Sequence, residues 1–170
     1  MERNNLWAPW RIGYITAASK TIEGCFLCHH QAHEDQDDDN LVLWRSAHCA
    51  VVMNRYPYNN GHVLVAPKRH FADLSEATDE EMLDMMHQVR DIQGCLTQAV
   101  HPDGFNTGIN TGRCAGAGVP GHLHIHVVPR WNGDTNFMST CANTEVISQS
   151  MRELFDQLKE TSQKHDLPKL

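Results

Sequence analysis

His122-Leu123-His124-Ile125-His126-Val127-Val128 sets a histidine at every second position, with branched apolar residues between. An extended chain sends successive side chains to opposite faces. As a strand, this stretch lines three imidazoles along one face and turns Leu123, Ile125 and Val127 into a core. Sheet packing gives no reason to set three titratable rings side by side. Imidazole can be a nucleophile, a general base or a metal ligand near neutral pH. The chain holds 12 histidines, so a chance pair would be unremarkable. An alternating triad inside an apolar strand points instead to a site.

The neighbouring sequence supplies a frame. Immediately before the triad, Gly112-Arg113-Cys114-Ala115-Gly116-Ala117-Gly118-Val119-Pro120-Gly121 carries four glycines in ten positions. Such a backbone can turn several amides toward one anion. Upstream, Leu41–Trp44 and Cys49–Met53 read as paired strands. Arg55 to Gly61 supplies turn chemistry, and His62–Ala66 reads as the next strand. Ser75–Val100 reads as a helix with a Thr78/Glu81 capping box and an apolar stripe of Met82, Met85, Met86, Val89, Ile92 and Leu96. Phe105–Asn110 is a further strand, and a final helix is expected from Asn143 or Thr144 to about Lys164. Strands outnumber helices and pair in sequence, which indicates an α+β fold on an antiparallel sheet with two main helices. The 170 residues are read as one domain: an N-terminal segment (1–40), a core (41–138) and a C-terminal helix (139–170).

Composition narrows the function. A formal net charge of −7 excludes a grip on nucleic acid through a basic face. No apolar run reaches the length of a membrane span and no signal-like core follows Met1, so the expected setting is the cytoplasm. The acidic run Glu34 to Asn40 is expected as a solvated loop. Six cysteines in such a chain are expected to be reduced thiols, with Cys49 and Cys95 as small core residues. Cys25-Phe26-Leu27-Cys28 has metal-ligand spacing but needs two more ligands for zinc. His29, His30 and His33 are the local candidates. His62, in an apolar run, is expected to be a hydrogen-bonded structural histidine, and Trp131 a packing residue.

The whole pattern resembles the histidine-triad (HIT) family of nucleotidyl hydrolases and transferases. His122 to Val128 meets the family motif in full. Asn54 with Gly61-His62-Val63-Leu64-Val65-Ala66-Pro67-Lys68-Arg69-His70 resembles the family's first half, and Asn110-Thr111-Gly112 with the glycine loop its second. Leu6 to Arg11, Asn54 to Asn59 and Val128 to Phe137 are similar to the bacterial diadenosine-tetraphosphate phosphorylase-like (ATP adenylyltransferase-like) branch. The resemblance implies His124 as the nucleophile that carries a transient nucleotidyl group and His126 as a donor near the phosphate. It also implies Asn54 on the ribose hydroxyls, and Asn110, Gly116, Ala117, Gly118 and Val119 around the phosphates. Structural zinc is implied on Cys25, Cys28, His70 and His122. Many members carry Gln followed by Ser or Thr in the loop; this chain has neither, which shifts phosphate contacts to backbone amides.

The function so implied is nucleotidyl transfer on adenosine polyphosphates, with phosphorolysis of diadenosine tetraphosphate to ATP and ADP. The alternatives are hydrolysis of dinucleoside polyphosphates or adenosine phosphoramidates, a nucleotide-binding regulator with little catalysis, and a zinc-stabilised interaction module. The resemblance also implies a two-fold homodimer, with the Ser75–Val100 helix a candidate contact surface.

Overall fold

The computed structural model describes residues 24–135, 138, 141 and 146–169. The branch-like stretch Leu6 to Arg11 and the expected caps Asn143 and Thr144 lie outside them. A short helix, α1 (Phe26–Ala32), precedes an antiparallel meander of β1 (Val42–Arg45), β2 (Cys49–Met53) and β3 (Val63–Pro67). The long helix α2 (Asp79–Val100) leads to β4 (Gly104–Ile109), β5 (Ile125–Arg130) and the C-terminal helix α3 (Met151–Lys164). The sheet order is β1-β2-β3-β5-β4, all neighbours antiparallel. The triad strand thus joins the meander to its last partner.

The α+β antiparallel architecture agrees with the sequence reading, and among the described residues α1 adds a short helix to the two long ones. Val51, Val63, Val65, Leu123, Ile125 and Val127 form one buried cluster with Met85, Ile92 and Leu96 of α2 and Leu154, Phe155 and Leu158 of α3. Both long helices therefore cover one face of the sheet. The other face carries the histidines: Leu64 pairs directly with His126 across β3 and β5. Gly61 makes the turn into β3 at φ +74°, where an added Cβ would sit 3.1 Å from both Leu96 and Pro129. Only glycine meets both demands.

Four expectations need correction. The regular strand begins at Ile125 and runs to Arg130, so His122 and His124 lie in its entry segment. Leu123 N donates instead to Phe71 O at 2.7 Å, and the alternation of faces survives. The last helix starts at Met151, because Ser150 caps it through Glu153 N, while 146–150 is irregular. Met82 and Met86 do not join the core stripe of α2. That stripe runs through Met85, Val89, Ile92, Cys95 and Leu96 with buried Gln88 beside it, which leaves Met86 58% exposed. The acidic run is largely exposed as expected, but Arg45 pairs with Asp37 and Arg152 with Asp38, and Glu34–Gln36 makes a 3-10 turn. Those two guanidiniums offset the repulsion that sequence alone suggested. Among the described residues no helix is long and apolar enough to cross a membrane.

Candidate active site and metal cluster

The roles open to each triad histidine follow from which ring nitrogen is already occupied. His122 is 1% exposed, and its Nε2 lies 2.9 Å from the Pro67 carbonyl oxygen. A carbonyl only accepts, so Nε2 carries the proton and Nδ1 keeps a lone pair. That Nδ1 faces Cys25 Sγ at 3.3 Å, Cys28 Sγ at 3.5 Å and His70 Nδ1 at 3.2 Å. Cys28 Sγ and His70 Nδ1 are 3.1 Å apart, and all four atoms fall within 4.8 Å of one another. Cys25 is the N-cap of α1 and Cys28 lies in its first turn, which turns both sulfurs the same way. Burial and the facing Cys25 push the Cys28 thiol up. A tetrahedral zinc ion with sulfur and nitrogen ligands has ligand-to-ligand edges of roughly 3.3–3.8 Å. The tetrad fits that ion.

The local alternatives do not converge. His33 Nδ1 donates to His29 O at 2.8 Å, and the two rings stack at 4.2 Å. His30 is buried apart from the thiols, its imidazole lowered to about 4 by burial and by Arg55, His29 and Arg45.

His124 is occupied the opposite way. Its Nδ1 donates to the His122 carbonyl at 2.8 Å, so the lone pair sits on Nε2. His126 follows with its ring centre 4.9 Å away. Behind it stands His62, buried and hydrogen-bonded as expected, yet part of the site. The Tyr58 amide donates to His62 Nδ1 at 3.0 Å and Asn54 Nδ2 lies 3.2 Å from the same nitrogen. The His62 proton is therefore on Nε2, 2.9 Å from His126 Nδ1. By the same logic His126 carries its proton on Nε2, the nitrogen 3.3 Å from the Asn110 side-chain amide. That amide offers its oxygen to the proton after a half-turn. Burial lowers His62 to about 3 and His126 to about 4, with neighbouring imidazoles adding to it. Both rings are neutral at physiological pH, and the relay aims one N–H toward Asn110.

Asn54 also shapes its turn, accepting from Tyr56 N at 2.9 Å. In the glycine loop, φ is +79° at Gly112 and +88° at Gly116. The amides of Ala115, Gly116 and Ala117 turn back onto the Gly112 and Arg113 carbonyls. Those of Gly118 and Val119 have no partner among the described residues. Trp131 donates to the carbonyls of Val100 and His101 and is a packing residue. The sequence reading missed His62 as a site member and Tyr58 beside it. The signal was present: Asn54, Tyr58 and His62 are spaced by four in a turn that delivers all three to one ring.

Residues 35–133 match the HIT domain family. The chain belongs to the histidine-triad family. This HIT protein is 35% identical over 157 residues to AP-4-A phosphorylase of Mycobacterium tuberculosis, covering 89% of this chain and 80% of that one. It is 36% identical over 93 residues to the asymmetrical bis(5'-nucleosyl)-tetraphosphatase of Schizosaccharomyces pombe, covering 55% and 50% of the two chains. A Zn-bound histidine triad family protein from Mycobacterium smegmatis superposes with a TM-score of 0.67 at 26% identity, over 86% of this chain and all of that one. With relatives named as enzymes over most of its length, the HIT protein is an enzyme of its family.

Proposed function

We propose that this HIT protein transfers adenylyl groups from adenosine polyphosphates, splitting diadenosine tetraphosphate with inorganic phosphate into ATP and ADP. The observation that carries the reading is the bond from His124 Nδ1 to the His122 carbonyl, which leaves Nε2 as the nucleophile. Nε2 forms a bond to the α-phosphorus while the bond to the bridging oxygen breaks, and that oxygen leaves with the electron pair as ATP. The imidazole is then positive, and its Nδ1–H goes on donating to the His122 carbonyl, whose oxygen stabilises that charge. An oxygen of inorganic phosphate next attacks the same phosphorus. The P–N bond breaks, its electron pair returns to Nε2, and ADP is released. Neutral His126 shares its one Nε2–H between Asn110 and the phosphoryl or leaving oxygens when they arrive. Asn54 is assigned to the ribose hydroxyls. Asn110 and the Gly116, Ala117, Gly118 and Val119 segment are assigned to the phosphates, with the unspent Gly118 and Val119 amides first.

Zinc is assigned to Cys25, Cys28, His70 and His122, supported by the tetrad geometry and by the zinc-bound relative. Bound there, the ion neutralises two thiolates and pins the N-terminal segment to the sheet. Six free cysteines suit a reducing cytoplasm. A homodimer is supported by the exposed Met82, Leu83 and Met86 on α2 and by the open edge of β4; light scattering at low micromolar concentration checks it.

Incubation with diadenosine tetraphosphate, with and without phosphate, followed by product chromatography tests the activity. ATP and ADP formed only with phosphate are expected. ATP and AMP formed regardless of phosphate would make it a hydrolase, and absence of products with retained binding would make it a regulator.

A further inference from the structure

Past His126 the histidine face of the sheet runs on into a cavity of about 240 Å³. We propose that this cavity receives the second nucleoside of a dinucleoside polyphosphate, the one on the leaving side; the inference rests on the adenylyl-transfer reading above.

Its position comes from register. His126 pairs with Gly108, and the next rung on that face is Val128 with Asn106, roughly 7 Å further along the strand. Asn54 follows β2, whereas Asn106 lies on β4, with β3 and β5 between them. The same register sets Asn54 beside His62, and Tyr58 of that turn lines the cavity, so the ribose position assigned to Asn54 and the Asn106 wall flank the His62–His126 pair across the width of the sheet. A molecule with a nucleoside at each end of a phosphate chain has that layout.

Its chemistry selects a nucleoside over a further phosphate. The Arg130 guanidinium pairs with Asp134 at 2.6 Å, and this holds the carboxyl well below the usual carboxylate range. Asn59 Nδ2 and the Trp131 amide donate to the same carboxylate at 2.8 and 3.2 Å. The ion pair is locked and neutral as a unit, so it offers no net positive charge to an anion. What the cavity offers instead is a flat wall and amide donors. The Tyr58 ring lies 25° from the plane of His126 with centres 5.6 Å apart, and half of the residue is open. Aromatic walls stack nucleobases with little regard to their identity. Asn106 Oδ1 accepts from Arg130 at 2.7 Å, while its amide nitrogen has no partner among the described residues. That nitrogen is a ready donor to a base or ribose oxygen.

The test compares diadenosine tetraphosphate with adenosine 5'-tetraphosphate, which keeps the phosphate chain and lacks the second nucleoside. The wild-type enzyme is expected to favour the dinucleoside in kcat/KM by roughly tenfold, the scale of one stacked base. Asn106→Ala, and the bulkier Asn106→Leu that fills the cavity, are expected to collapse that ratio toward one, chiefly through KM. A wild type without preference, or variants that keep it, would overturn the inference while leaving adenylyl transfer standing. A wild type that cleaves neither compound would overturn both.

Discussion

His122 and His124 are two residues apart in one short segment, yet their environments are mirror images. His122 spends Nε2 on a backbone carbonyl and turns Nδ1 to two thiols and a second imidazole. His124 spends Nδ1 on a backbone carbonyl, that of His122 itself, and leaves Nε2 open. The residue type is the same; the carbonyl that holds each ring decides what it can do. A histidine whose lone pair faces thiols is suited to a cation, and one whose Nε2 lone pair is left without a hydrogen-bond partner among the described residues is suited to attack phosphorus.

The sharpest way to break this contrast is His124→Ala. Turnover should fall by about three orders of magnitude or more, with metal content and Tm nearly unchanged; activity within about tenfold of wild type would remove the nucleophile assignment. Metal removal attacks the other end. Chelation, or Cys28→Ser, should lower Tm by about 10 °C or more, since a structural site contributes its binding free energy to folding. Metal analysis of protein never exposed to affinity resin fixes the starting stoichiometry, expected at about one ion per chain. A zinc-free protein of equal stability would return Cys25 and Cys28 to ordinary thiols.

Asn110→Ala removes the partner of the His126 N–H without touching the metal tetrad. A loss of roughly ten- to hundredfold in kcat is expected, the worth of one hydrogen bond in a charged transition state. An unchanged rate would detach the His62–His126 relay from the chemistry. The smallest effect should come from acid. His62 and His126 fall from 6.5 to about 3 and about 4 in the folded protein, so the folded state binds fewer protons than the unfolded chain between those values. Their stabilisation is complete above pH 6.5 and is lost as pH falls through about 4 for His126 and about 3 for His62. Thermal melts should show Tm declining across that window, and His62→Asn should flatten the decline. An equally steep decline in the variant would assign it to other groups.

Much of this was legible from residue order. Short apolar runs bounded by turn residues gave β2 and β3, two-residue rhythm gave the histidine face, and the Thr78/Glu81 box marked the start of α2 within its first turn. The tetrad was reached only through resemblance, because Cys28 and His122 are 94 positions apart and no local pattern joins them. The start of α3 was misjudged although Ser150-Met151-Arg152-Glu153 is a capping sequence in plain view. Met82 and Met86 were misjudged because apolar spacing is indifferent to which edge of a stripe meets the sheet; Gln88 took that edge through a bond to Trp44. His62 was legible as buried but not as a relay, since only the folded turn brings the Tyr58 amide to its ring.

The strand order has a consequence for how the molecule is made. β5 enters between β3 and β4, so Thr107 waits on Val127 for a ladder partner and Val63, already paired with Met53, waits on it for a second. A nascent chain that ends before residue 125 holds two open sheet edges where the finished protein has one continuous ladder. Closing the β3 side joins Val63 to Val127 across more than half a hundred residues, a slow kind of step in folding. The histidines ride on the strand that performs it. The enzyme therefore acquires its reactive centre in the same event that completes its sheet, and a half-built chain has strand edges open to pairing but no chemistry.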